Sequence, residues 1–156
     1  MKTRVAIYSD FNDRIKAITS VHEDMYSLAD MMVFLSEDFN LTESERYRTL
    51  WFLSTEQIAC VEDFQKHDIL EIRPLRNLIT KIKIEKGRLG TGLPQEKLPE
   101  YLHLHFALDS AGSFTLGATR ANVGRLKTIA TVYLVPNLTR GAGRKELAPT
   151  NGMNSA

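Results

Sequence analysis

Residues 101–108 read YLHLHFAL, and the reading of this stretch decides the fold class. A β-strand throws successive side chains to opposite faces. Leu102, Leu104, Phe106 and Leu108 therefore share one face, and Tyr101, His103, His105 and Ala107 share the other. Downstream, Asp109-Ser-Ala-Gly112 has the composition of a hairpin turn. It leads into Ser113–Thr119, where Phe114 and Leu116 alternate with small or hydroxyl residues. Thr128–Val135 is a nearly continuous β-branched and apolar run that suits a central or doubly covered strand. Upstream, Leu78, Thr80, Ile82 and Ile84 fall on one strand face, opposite Ile79, Lys81 and Lys83.

The N-terminal half carries a different period. Val21, Met25, Leu28, Met32, Leu35 and Phe39 recur at alternating spacings of four and three, one apolar stripe along about five helical turns, broadened by Ala29 and Val33. Ser20 with Glu23, Thr42 with Glu45, and Ser54 with Gln57 match the capping box, in which a hydroxyl and a Glu or Gln three residues on satisfy two orphan amides. Shorter helices are expected behind the second and third, carrying Tyr47, Leu50 and Trp51, then Ile58, Val61 and Phe64. Val5 and Ile7 suggest a short strand, and Phe11, Ile15 and Ile18 a helical turn or two. The expectation is an α+β protein with N-terminal amphipathic helices packed on a mainly antiparallel sheet of about four strands. A single domain over residues 1–135 would be followed by an extended C-terminal arm, 136–156, too poor in apolar residues to order alone.

Charge follows the same division. Residues 1–68 hold 7 Lys/Arg against 13 Asp/Glu, whereas residues 69–156 hold 13 against 6, although the chain as a whole carries only +1. The basic candidates for anion or partner contacts are Lys81, Lys83, Lys86 and Arg88, then Arg120, Arg125 and Lys127, then Arg140, Arg144 and Lys145 in the arm. A lone cysteine, Cys60, has no partner for an internal disulfide, so a reducing compartment is the simpler expectation. No stretch approaches the ~20 apolar residues of a membrane span.

Four constellations bear on chemistry. His103 and His105 lie two apart on one strand face and would offer two imidazoles to a metal, with Glu100, Asp109, His67 or Asp68 as further donors. A half-exposed polar face accounts for them better, because nothing in the sequence selects a third ligand. The run Lys86-Gly-Arg-Leu-Gly-Thr-Gly92 has the glycines of a phosphate cradle but lacks Gly-Lys-Ser/Thr and meets Pro94 where a helix should begin. The Leu41–Arg46 and Gln57–Ala59 segments have a faint helix-turn-helix look, but the region that would read DNA, Val61–Lys66, has two acids for one base. Cys60 sits among apolar neighbours as an inert thiol.

The functional expectation is therefore a non-enzymatic assembly or protein-interaction subunit, of the kind found in viral or phage particles. An acidic helical face, a basic strand face and the arm would make homo- or hetero-oligomeric contacts. The alternative is a nucleic-acid-binding module using the basic half. No catalytic residue, metal ligand or cofactor site is assigned, no membrane partner is expected, and the compartment is taken as the cytoplasm or a particle assembled inside the cell.

Overall fold

The computed structural model describes residues 11–39, 46–109 and 112–139. Helix α1 (Asn12–His22) opens the described chain. Seven strands follow: β1 (Met32–Glu37), β2 (Tyr47–Leu53), β3 (Gln57–Glu62), β4 (Glu71–Pro74), β5 (Ile79–Arg88), β6 (Glu100–Leu108) and β7 (Gly112–Thr119). Helix α2 (Ala121–Ile129) comes last and runs into a π turn, Ala130–Leu134, and a 3-10 turn, Val135–Asn137. The strands form two antiparallel meanders, a four-stranded sheet ordered β1-β2-β3-β4 and a three-stranded sheet ordered β5-β6-β7.

This overturns the expectation of N-terminal helices on one sheet of about four strands. The five-turn stripe is not a helix: α1 ends at His22 and β1 begins ten residues later. Val21 and Met25, its first two members, are 56% and 90% exposed. The segments expected as a second and third helix are β2 and β3. Their misreading has a physical cause. The four-stranded sheet is covered on both faces, so its strands are apolar at consecutive positions and lose the alternation that marks a half-exposed strand. Phe34, Trp51, Leu53, Ile58 and Cys60 face one core, while Leu35, Leu50, Phe52, Ala59 and Val61 face another. A bulge between Ser36 and Glu37 also places Tyr47 and Leu50, three residues apart, in the same core, which imitates helical spacing.

The Ser54–Gln57 pair illustrates a shared signal. Ser54 Oγ does accept from the amides of Glu56 and Gln57, at 3.3 and 3.1 Å. It does so in the β2–β3 hairpin, where the same hydroxyl-to-amide bonds that cap a helix close a turn. Ser20, the first capping residue, lies in the last turn of α1. Thr42, Glu45, Val5 and Ile7 lie outside the described residues.

The second correction concerns Thr128–Val135, expected as a strand and found as the end of α2 and its π turn. Val123, Leu126, Ile129, Ala130 and Leu134 form its buried side. They are spaced by three, three, one and four, which is helical and overrides the β-branched composition. By contrast β6, the β6–β7 hairpin and β7 stand where the alternation placed them. Strand β5 runs on to Arg88, and a register shift between Ile79 and Lys81 turns Ile79 into the core.

Two cores result. One lies between the two sheets and α2, built on Phe34, Trp51, Leu104, Phe106, Leu116 and Leu126. The other lies between α1 and the outer face of the four-stranded sheet, around Ile18, Leu50, Phe52 and Phe64. Each such fully buried side chain contributes ~1.5–3 kcal/mol. Arg14 pins α1 in place through Phe64 O at 2.6 Å, His67 O at 2.8 Å and Asp68 at 2.6 Å. At the other end, buried Asn137 accepts from the Asn77 amide at 2.9 Å and donates to Thr55 O at 3.0 Å, and Leu138 bridges to Ile79. Residues 137–139 of the expected arm are thus bonded to the β2–β3 turn, the β4–β5 turn and Ile79. No helix among the described residues is long and apolar enough to cross a membrane.

Candidate metal centre

The end of β1 crosses onto β7 by side-chain bonds where a backbone ladder would otherwise run. The Gly117 amide donates to Ser36 Oγ at 3.0 Å, and Thr119 donates through N and Oγ1 to the Glu37 carboxylate, both at 2.8 Å. Gly117 is required here, because a Cβ at this position would strike the Glu37 carbonyl oxygen and come within 3.3 Å of His103 Cδ2. The seam carries the chain on to Phe39, whose ring stacks on His103 with centroids 4.5 Å apart and meets Tyr101 edge-on at 5.6 Å.

On the outward face of the three-stranded sheet, Glu85 is the cross-strand partner of His103, and Lys83 of His105. His103 Nδ1 lies 3.7 Å and His105 Nε2 3.9 Å from Glu85 Oε1. The candidate ligand atoms of the three residues all fall within 4.8 Å of one another. Donors bound at about 2.1 Å around a tetrahedral ion are separated by about 3.4 Å. The observed spacing is too long for hydrogen bonds and within a side-chain adjustment of what a shared ion requires.

Each of the three groups is held by a further residue. Tyr101 donates its hydroxyl to Glu85 Oε2 at 2.8 Å, leaving Oε1 toward the histidines. That bond, more than the nearby imidazoles, holds the Glu85 carboxyl below its usual range, and it pushes the Tyr101 hydroxyl up. Gly87, cross-strand from Tyr101, makes room for it: a Cβ there would lie 2.7 Å from the Tyr101 ring. Thr115, on β7, pairs its hydroxyl with His105 Nδ1 at 2.9 Å. With the proton on Nδ1, the Nε2 lone pair is directed toward Glu85. Partial burial, then the neighbouring His105, pushes the His103 imidazole down, toward the neutral form that ligates metals.

The surroundings are electrically lopsided about His105. On one side a polar groove of about 510 Å³ runs under the β1 seam, with Glu37, Asp38, Glu62 and Asp63 in its wall and Arg48 as the only Lys or Arg among its lining residues. On the other a smaller cavity of about 220 Å³ is bounded by Lys81, Lys83, Phe106 and Ser113. His105 lines both.

Of the basic residues singled out in the sequence, only Lys81 and Lys83 among those described adjoin this centre. Lys86 pairs with Leu102, on the opposite face of the sheet. Arg88 donates to Leu98 O at 2.9 Å and braces the β5–β6 loop. Arg120 forms the β7–α2 corner with φ 53°, while Arg125 and Lys127 are exposed on α2. Arg140, Arg144 and Lys145 lie outside the described residues. Among the described residues the third candidate donor beside the histidine pair is Glu85 and not one of the sequence candidates: Asp68 is paired with Arg14, and Glu100 sits at the far end of β6 opposite Arg88. Comparison of the chain with protein-family models, with curated proteins and with solved structures finds no match.

Proposed function

We propose that this protein binds a divalent transition-metal ion at Glu85, His103 and His105. The observation that carries the reading is the gathering of two imidazole nitrogens and one carboxylate oxygen within 4.8 Å of one another, each backed by its own partner: Tyr101 on Glu85, Thr115 on His105 and Phe39 on His103. Two nitrogens and one oxygen suit zinc, cobalt, nickel or iron better than calcium or magnesium, which favour all-oxygen shells. Three protein ligands on an outward face leave coordination positions open, the arrangement of centres that bind or activate a ligand and not of closed structural zinc sites.

The test is metal content and affinity of the full chain. One equivalent of zinc or cobalt should bind, raise the unfolding temperature with the logarithm of free metal above Kd, and be lost in His103→Ala and Glu85→Gln. At free metal one hundred times Kd the gain is about 2.7 kcal/mol. Absence of stoichiometric binding of any of the four ions, or equal binding by the two variants, overturns the proposal.

A second reading, an assembly or interaction subunit, draws on strand edges. Among the described residues, β4 and most of β5 each have one edge with no neighbouring strand. Lys81, Lys83, Lys86 and Arg88 along β5 work against strand addition at that edge. Light scattering at low and high salt tests it, and a strictly monomeric mass with no partner-dependent change removes it.

A further inference from the structure

We infer that the open positions of this metal centre take a doubly charged oxyanion, a phosphoryl group, seated between the ion and Lys81 and Lys83. The inference rests on the metal reading above and adds the class of ligand. Cross-strand partners share a sheet face, so Lys83 stands beside His105 on the same outward face as the three metal ligands, and Lys81 follows it two residues along β5. Neither lysine makes an ion pair among the described residues. Both border the 220 Å³ cavity, together with Ser113 and His105, which is room for several water-sized groups.

Charge decides both the side and the kind of ligand. An ion of charge +2 with the Glu85 carboxylate leaves +1 at the centre, and the two ammonium groups bring the Lys81–Lys83 side to +3. A dianion gains twice the Coulomb attraction of a carboxylate monoanion in this field, and lysines are common point-charge partners of phosphate. On the far side of His105, Asp38 and Glu62 oppose an anion. Asp63 is paired with Arg48 at 3.4 Å, and Glu37 is bound to Thr119 and lies 3.9 Å from Arg46, so both arginines are already engaged with carboxylates. The anion therefore has one favourable approach, over β5.

The experiment uses the full chain loaded with one equivalent of cobalt(II), whose visible absorption reports a change of ligand at the metal. Inorganic phosphate and glycerol phosphate are titrated separately, to distinguish free phosphate from a phosphorylated organic compound, with acetate as the monoanion. Saturable spectral change is expected with at least one phosphate probe, at least tenfold tighter than with acetate. The exposed substitutions Lys81→Gln and Lys83→Gln, made together, should leave cobalt stoichiometry unchanged and weaken phosphate binding at least tenfold. No phosphate-dependent spectral change, or equal phosphate affinity in the double variant, overturns the inference while cobalt binding still stands. Failure to bind cobalt at all removes the metal reading and this inference with it.

Discussion

Gly117→Ala is the substitution that most directly tests how the two sheets are joined. Its new methyl group would meet the Glu37 carbonyl and His103 Cδ2. Both are held in place, Glu37 by its bonds to Thr119 and His103 by its stack on Phe39. The end of β1 must lift from β7, and the Gly117 amide loses Ser36 Oγ in a buried setting. Overpacking costs ~1–3 kcal/mol and a lost buried hydrogen bond ~1 kcal/mol, so the expected loss is about 2–4 kcal/mol, a large share of the ~5–15 kcal/mol that holds a domain together. In urea, with a slope of ~2 kcal/mol per molar, the midpoint should fall by about 1–2 M. Gly124→Ala is the matching control of opposite sign. It lies within α2, a Cβ there meets nothing within 4 Å, and alanine favours a helix by up to ~1 kcal/mol. If Gly117→Ala changes stability by less than ~0.5 kcal/mol, or if both substitutions shift it alike, the close β1–β7 seam is refuted.

Three further outcomes are expected. Tyr101→Phe and Thr115→Val each remove one hydrogen bond to a metal ligand and should weaken metal binding ~10–100-fold without altering its stoichiometry; unchanged affinity measured by competition with a chelator would deny them that role. Burial foremost, with Glu62 and Glu71 adding to it against the opposing effect of Arg73, pushes the Cys60 thiol up to about 12, against ~8.5 unfolded. At pH 8 a disulfide reagent should therefore label the native chain about a thousandfold or more slower than the unfolded chain, and stability should fall as pH rises from ~8.5 toward 12, because only the unfolded thiol readily ionises there. Leu104→Ala, fully buried between the sheets, should cost ~2–5 kcal/mol by chemical denaturation, and a cost below ~1 kcal/mol would contradict its place in the core.

What was legible in the sequence follows from how many faces of each strand are covered. β6 and β7 are half-exposed, so Leu102, Leu104 and Phe106 alternate with Tyr101, His103 and His105 in plain view. β2 and β3 are covered on both sides, and a run such as Leu50-Trp-Phe-Leu53 carries no period to read. The apparent stripe from Val21 to Phe39 crosses a helix end, a turn and a strand, and only burial exposes it as coincidence. The candidate site divides in the same way. The histidine pair was visible because its spacing is local to one strand. Glu85 was not, because its place beside His103 depends on the β5–β6 register, and a shift of one residue would send it to the other face.

That register also changes the meaning of the charge division. In the sequence, an acidic half followed by a basic half suggests surfaces that meet on neighbouring copies. In the folded chain the two already meet at one side chain. Glu37 and Asp38 at the end of β1, with Glu62 and Asp63 at the end of β3, approach His105 from one side, while Lys81 and Lys83 on β5 flank it from the other. The contact exists because β1 is fastened to β7 through Ser36, Glu37 and Thr119, which brings the acidic end of β1 alongside the outward-facing His103 and His105. A charge asymmetry arranged within one molecule acts on what enters the cavity between its two sides, and an ion at Glu85, His103 and His105 would sit where that field changes sign. Preparing a site for an oriented ligand, anionic toward β5, requires no second copy of the chain.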